Sequence, residues 1–187
     1  MSQQTKRLEE QVKVARESNS PPPVEDWDPE LSGDIDIRIA RDGTWYHEDE
    51  PMRREAIPRL FATILRREQD GDYYLVTPVE KWRIRVEDTP LLAHSLEVEG
   101  EGEHQLLAVT TNVGEKLLLG REHPLEVGGY DSDGSPRPVV HVRRGLEARL
   151  VTTAYYELAE LLVERNVSGS PVLGVWSGGQ FFAVGNG

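Results

Sequence analysis

Basic side chains gathered in short runs are the groups in this sequence best placed to do recognisable chemistry. Arg53-Arg54, then Lys81, Arg83 and Arg85, then Arg143-Arg144 with Arg149, stand in a 187-residue chain with 21 Lys and Arg against 33 Asp and Glu, a net charge of −12. Guanidinium forks bind phosphate or carboxylate oxygens bidentately. Trp45, Tyr46 and Trp82 are near in sequence and can stack a planar group. Trp45, Arg53, Arg54, Arg83, Arg85, Arg143, Arg144 and Arg149 are therefore the candidate ligand-binding set, and a small phosphate-bearing anion is the chemistry they suit. The competing reading puts these cations on solvated strand faces, paired with Glu80, Glu87 and Glu147 as cross-strand charges commonly are.

His47-Glu48-Asp49-Glu50, alone or with His94, His104, His123 or His141, has the residue types for a metal or for acid–base work. The spacing fits neither HExxH nor a facial-triad helix, so an acidic loop is the expectation. Asp131-Ser132-Asp133-Gly134-Ser135 has part of a calcium-loop pattern. It lacks the third acidic position, the bidentate glutamate and the following helix, and reads as a turn. Gly114-Glu115-Lys116 is not a P-loop, and no G-x-S-x-G elbow occurs. With no cysteine in the chain, thiolate catalysis, disulfides and Cys-ligated metals are excluded. No catalytic residue, metal ligand or cofactor is assigned.

The acidic balance argues against DNA, RNA or anionic membrane surfaces as partners. The N-terminus carries no apolar stretch of the kind a secretory leader needs, and no run approaches the roughly 18 apolar residues of a membrane span. The expectation is a cytoplasmic protein.

The elements that must position these residues follow from periodicity. Leu8, Val12 and Ala15 mark a thin helical stripe over residues 1–17, a helix too marginal to stand alone. Ser18-Asn19-Ser20-Pro21-Pro22-Pro23 breaks it, which gives an arm that is mobile or docks on the body or on a neighbouring subunit. Ile35, Ile37 and Ile39 alternate with polar residues as a half-buried strand, Asp42-Gly43 turns it, and Thr44–His47 returns. Ala56, Ile57, Leu60, Phe61, Ile64 and Leu65 form a helical stripe that starts near Glu55–Ile57, because Pro58 is tolerated only in a first turn. Arg66 and Arg67 fall in its last turn, and Asp70-Gly71 stops it. Tyr73–Thr77 and Trp82–Val86 are strands. A meander follows: Leu91–Val98, His104–Thr111, Lys116–Leu119 and Leu125–Val127. Gly128–Pro136 is a long polar loop and the best internal boundary. Val139–Arg143 and Leu146–Val151 form a hairpin, and Thr152 or Thr153 can cap a helix striped by Tyr155, Leu158, Leu161 and Leu162. Ser168–Pro171 ends that helix, and Val172–Trp176 with Gln180–Val184 closes the chain.

Some of these runs carry a resemblance. Arg41-Asp42-Gly43-Thr44-Trp45, Leu60-Phe61 followed by Leu65-Arg66-Arg67-Glu68, Asp70-Gly71 through Leu75-Val76-Thr77-Pro78-Val79-Glu80-Lys81, and Val142-Arg143-Arg144-Gly145-Leu146-Glu147-Ala148-Arg149 are together similar to the bacterial DUF1285 family over roughly residues 25–165. The resemblance implies a duplicated α+β fold whose halves are like pleckstrin-homology cores. It also implies a groove between the halves for a nucleotide-like ligand and a signalling role; it implies no activity. This chain has Glu48-Asp49-Glu50 before Pro51 where that loop is expected to hold a glycine.

The resulting expectation is an α+β protein of duplicated hairpin–helix–hairpin units, around 35–87 and 138–184, with a central antiparallel meander. Residues 1–24 form the arm and linker, 25–90 the first half-unit, 91–128 the meander and 129–187 the second half-unit. The function expected is a binding or signalling module for a small anionic, phosphate-bearing ligand. The alternatives are a protein-interaction scaffold with a protein partner and no small ligand, and a hydrolase using His47 and nearby carboxylates.

Overall fold

In the computed structural model, residues 2–15 and 21–186 are described. Residues 16–20, which include Ser18-Asn19-Ser20 of the expected break after the N-terminal helix, lie outside them. The chain divides into two compact units, Met1–Pro90 with Arg144–Leu146, and Leu91–Arg143 with Glu147–Gly187.

The first unit opens with helix α1, Gln3–Ala15, which docks beside the second helix of the same unit. Its thin stripe lies on that surface: Leu8 and Val12 are fully covered, and so is Thr5. A short 3-10 helix at Val24–Asp26 leads to strand β1, Leu31–Ile39. Then come β2, Trp45–His47, β3, Glu50–Pro51, helix α2, Ala56–Ala62, β4, Leu65–Arg67, β5, Tyr73–Val76, and β6, Lys81–Val86. They form one sheet in the order β3-β2-β1-β6-β5-β4. Its pairs are antiparallel except β1 with β6, which run parallel. Alternation decides what faces the core. Ile35, Ile37 and Ile39 are buried, while Asp34 and Asp36 stay in water. Across the ladder, His47 lies opposite Ile37 and Trp45 opposite Ile39, so both join the inner face. Phe61 of α2 packs on Trp45, ring centroids 6.3 Å apart.

Helix α2 is shorter than its apolar stripe suggests. It ends at Ala62, and Leu65–Arg67 is extended and paired with Tyr73–Leu75. Arg66 and Arg67 are therefore strand residues, not helix-end cations. Ile64 and Leu65 are fully buried, and burial is all that their apolar character demanded; a hairpin supplies it as well as a helix does. Pro58 sits in the first turn, where its missing N–H leaves no intrahelical bond unmade. At Asp42-Gly43 only the glycine takes a positive φ (85°), with Asp42 Oδ1 accepting the Thr44 amide.

The second unit holds β7, Leu91–Glu99, β8, Leu106–Thr111, β9, Lys116–Leu118, β10, Leu125–Tyr130, β11, Pro136–Arg143, and β12, Leu146–Leu150. Their order is β10-β11-β12-β7-β8-β9, with β7 and β12 parallel. Gly128–Pro136 is thus no open boundary. Gly129 pairs with Arg137 and Tyr130 with Pro136, so the segment is the turn of a hairpin. The strands of the expected separate meander share one sheet with β11 and β12. Helix α3, Thr152–Ala159, follows; its N-cap is Val151, and no threonine side chain caps it. β13, Val163–Val167, β14, Ser170–Ser177, and β15, Gln180–Asn186, make a three-stranded sheet. Leu161 and Leu162 lie beyond the helix, and Ser168-Gly169 is a hairpin turn, not a helix stop.

The duplication is visible in strand order. Read from its far edge, the first sheet runs 4-5-6-1-2-3, and the second runs 10-11-12-7-8-9. Each strand has a counterpart six positions on, and each sheet is closed by one parallel pair. This is a duplicated α+β fold. Among the described residues, no helix is long and apolar enough to cross a membrane.

Candidate functional site

The hairpin from β2 to β3 builds one wall of a pocket in the first unit. His47 pairs with Glu50 and Tyr46 with Pro51, leaving a two-residue turn at Glu48-Asp49. Both turn residues have positive φ, 50° and 61°, which is the geometry of a type I′ turn and is normally given to Asn-Gly. The chain therefore accepts the backbone that a glycine would ease. Strain of this kind in L residues collects where a fold must hold a particular surface. Past the turn, the Met52 amide bonds the Trp45 carbonyl at 2.8 Å, which carries Arg53 and Arg54 out to solvent ahead of α2.

The pocket has a volume of about 380 Å³ and is lined by Lys6, His47, Glu50, Pro51, Met52, Arg53, Arg54 and Ile57. That is near the lower end of the roughly 300–1,000 Å³ typical of small-molecule sites. Its floor is apolar and its rim cationic. The side chains of Lys6, Arg53 and Arg54 make no ion pair among the described residues, and Glu50 is the one carboxylate in the lining. His47 is buried, with Nε2 3.2 Å from Ser2 Oγ and 3.9 Å from the Glu48 carboxylate. Arg54 also borders a second depression with Glu9, Lys13, Ala56 and Leu60. Such a rim can hold a doubly charged anion by charge-assisted hydrogen bonds over an apolar floor.

The other arginines of the sequence-based set are differently placed. Arg83 donates to Asp34 at 2.7 and 3.1 Å and to Asp72 at 3.2 Å, and Arg85 donates to Asp36 at 2.7 Å. The hydrogen bond from Arg83 holds the Asp34 carboxyl below the usual carboxylate range. These groups line a wider depression of about 680 Å³ in which three carboxylates meet two guanidinium groups, so it has no positive surplus to offer an anion. Lys81 is taken by Glu68 at 3.2 Å. The cations do sit on paired strand faces, and their partners are mainly Asp34, Asp36, Asp72 and Glu68 rather than the glutamates expected. In the second unit Arg143 pairs with Glu115 at 2.5 Å and Arg149 with Asp131.

Arg144 belongs to the first unit and is structural. Its side chain is 6% exposed, lies 3.2 Å from Glu25 and donates to the Thr63 carbonyl at 3.0 Å. Trp45 is 3% exposed, its Nε1 without a partner, so it is a core residue and not a stacking platform. Among the described residues no group of three or more His, Asp or Glu is placed to hold a metal. His123 and His141 are neighbours, Nδ1 of His123 lying 3.1 Å from the His141 carbonyl, with His141 Nε2 2.9 Å from Glu126. Asp131–Ser135 is a turn closed by the Ser135 amide on Asp133. The structure thus brings Arg53, Arg54 and His47 together in one pocket, and Arg83 and Arg85 together in another where carboxylates neutralise them. Sequence reasoning missed Lys6. Nothing local marks it, since its role follows from where α1 docks.

Two family models match the chain. One is described as the N-terminal domain of a domain of unknown function, DUF1285, over residues 22–89; the other, as the C-terminal domain of a protein of unknown function, DUF1285, covers residues 90–184. Two crystal structures of DUF1285 proteins are similar. One, from Silicibacter pomeroyi DSS-3, is 42% identical with a TM-score of 0.84, covering 96% of this chain and 94% of that one. The other, from Shewanella baltica OS155, is 29% identical with a TM-score of 0.53, covering 67% of this chain and 91% of that one. No curated protein matches.

Proposed function

The chain belongs to the DUF1285 family, whose two domains it carries in order, and on that premise we propose that it is a binding module for a small phosphate-bearing anion. The observation that carries this reading is the pocket of the first unit. There Lys6, Arg53 and Arg54 face one cavity without ion-pair partners among the described residues, in a chain of net charge −12. Solvated cations in so acidic a protein find carboxylates easily, as Arg83, Arg85 and Arg149 do. Three that do not, grouped over an apolar floor of Pro51, Met52 and Ile57, suit an anion that brings its own charge. The lining has no Phe, Tyr or Trp, so the ligand's head is recognised by charge and its body by apolar contact, not by base stacking. Binding without chemistry fits the lining, whose one histidine is spent on Ser2.

Inorganic phosphate is the probe. At about 100 times its Kd it adds roughly 2.7 kcal/mol to the stability of the folded chain, several degrees of melting midpoint for a protein this size. The shift is expected to saturate and to vanish in Arg53→Ala/Arg54→Ala. A flat titration on folded protein, or a shift that survives in the double variant, overturns the reading.

A further inference from the structure

Lys6 differs from its two partners in the pocket because it arrives on α1. Arg53 and Arg54 belong to the segment that joins β3 to α2 and are fixed by it. Helix α1 is held by fewer ties. Leu8 and Val12 are its large buried apolar side chains. Among the described residues its side-chain polar ties to the body are Ser2 Oγ to His47 Nε2 at 3.2 Å and Arg7 to Glu80 at 3.1 Å, the latter with the Arg7 side chain 67% exposed. A helix of 13 residues is marginal in water without a surface beneath it. With no anion bound, the ammonium of Lys6 joins two guanidinium groups in a lining whose one carboxylate is Glu50, and the surplus of two positive charges opposes docking. An anion with two charges cancels that surplus, which a singly charged ligand only halves.

We infer that α1 is a latch that counts charge: a dianion held by Arg53 and Arg54 recruits Lys6 and fastens the helix, whereas a monoanion leaves it loose. The inference rests on the anion-pocket reading and adds both its selectivity and its output. The ligand class is a phosphomonoester or free phosphate in preference to a phosphodiester. Occupancy is reported as the docking of an amphipathic helix, whose buried stripe of Leu8 and Val12 is released when the pocket empties.

The experiment is amide hydrogen exchange on the full chain at pH 8, with inorganic phosphate or dimethyl phosphate at matched ionic strength, beside calorimetric titrations of wild type, Lys6→Ala and Lys6→Arg. Saturating phosphate is expected to slow exchange over residues 3–15 about tenfold, and dimethyl phosphate to leave it unchanged. Lys6→Ala is expected to lower phosphate affinity about tenfold, the loss of one charge-assisted contact, and to remove the protection; Lys6→Arg is expected to restore both. If phosphate binds through Arg53 and Arg54 but α1 exchanges as before, or Lys6→Ala binds phosphate like wild type, the latch is wrong and the pocket stands. If dimethyl phosphate protects α1 equally, the helix does not count charge. If phosphate does not bind at all, both readings fall.

Discussion

Glu48 and Asp49 show how much a single turn can cost. Both have positive φ at a two-residue hairpin where side chains with a Cβ are strained. The glycine expected in this loop is absent, yet the backbone takes the glycine-like path. The double substitution Glu48→Asn with Asp49→Gly relieves the strain and is expected to stabilise the protein by about 1 kcal/mol, or about 2–4 °C in the melting midpoint. An unchanged or lowered midpoint in calorimetry would show that the turn carries no strain to relieve. At this scale the sequence was a partial guide. It marked Arg53 and Arg54 as cations near the second helix, and they line the pocket. It could not separate them from Arg83 and Arg85, because what differs is the partner. Asp34, Asp36 and Asp72 reach the latter two across a sheet, and two of those three contacts depend on a parallel pairing, β1 with β6, that no local pattern announces. Trp45 was misjudged for a related reason: an aromatic on a short strand reads the same whether its face meets water or Phe61.

Elements were legible where a period of two or a turn residue spoke, and blurred where an apolar run spoke alone. β1 was recognisable from three alternating isoleucines; the end of α2 was not, because Ile64 and Leu65 are buried equally well in helix or hairpin. What fastens that hairpin is a pair on its second strand side. Tyr74 on β5 donates its hydroxyl to Asp70 in the β4–β5 turn at 2.6 Å. Bonding to that carboxylate, with burial, pushes the Tyr74 phenol up to about 12, and the same bond holds Asp70 below the ordinary carboxylate range. The unfolded phenol titrates near its usual value of about 10. The tie therefore contributes fully below about pH 10 and is lost as pH rises toward 12; on the acid side Asp70 contributes above about pH 4 and is lost as pH falls through its depressed value. Urea midpoints measured from pH 9 to 11.5 are expected to fall for wild type and to fall less for Tyr74→Phe; equal slopes would refute the assignment. A second fastening is Arg144, in the turn between β11 and β12 but part of the first unit, where it caps the Thr63 carbonyl just past α2. Arg144→Ala leaves that oxygen and Glu25 without it and is expected to cost about 1–3 kcal/mol, read as a lower urea midpoint. A neutral result would make Arg144 a surface residue in practice, despite its burial.

At the scale of the molecule, the repeat lies in the order of strands within sheets, and it was legible only in outline. Hairpin, helix and hairpin do recur along the chain, but hydrogen bonding assigns the later hairpins to two different sheets, because parallel closure joins β7 to β12 across more than fifty residues of sequence. Long-range closure of this kind leaves no local trace, while the hairpins beside it do. It also makes the first unit discontinuous: Arg144, Gly145 and Leu146 belong with Met1–Pro90. In that unit the Arg67 amide donates to the Arg144 carbonyl at 3.1 Å, Leu146 is 1% exposed, and a Cβ at Gly145 would sit 3.1 Å from that of Arg67. A fragment cut at Pro90 follows the family boundary and still lacks three residues of its own unit, one of them the buried Leu146. Truncation tolerance depends on burial and backbone bonding at the cut, not on position in the sequence. Fragment 1–90 is therefore expected to unfold at a lower urea concentration than the first unit does in the full chain, and by more than Arg144→Ala alone produces, because the buried Leu146 is gone and the Arg67 amide loses its partner as well. Trp176→Phe in the full chain leaves Trp27, Trp45 and Trp82, all in the first unit, as the fluorescent reporters. Matching midpoints for the fragment and that chain would show that residues 144–146 add nothing to the first unit, and that the boundary at Pro90 is complete.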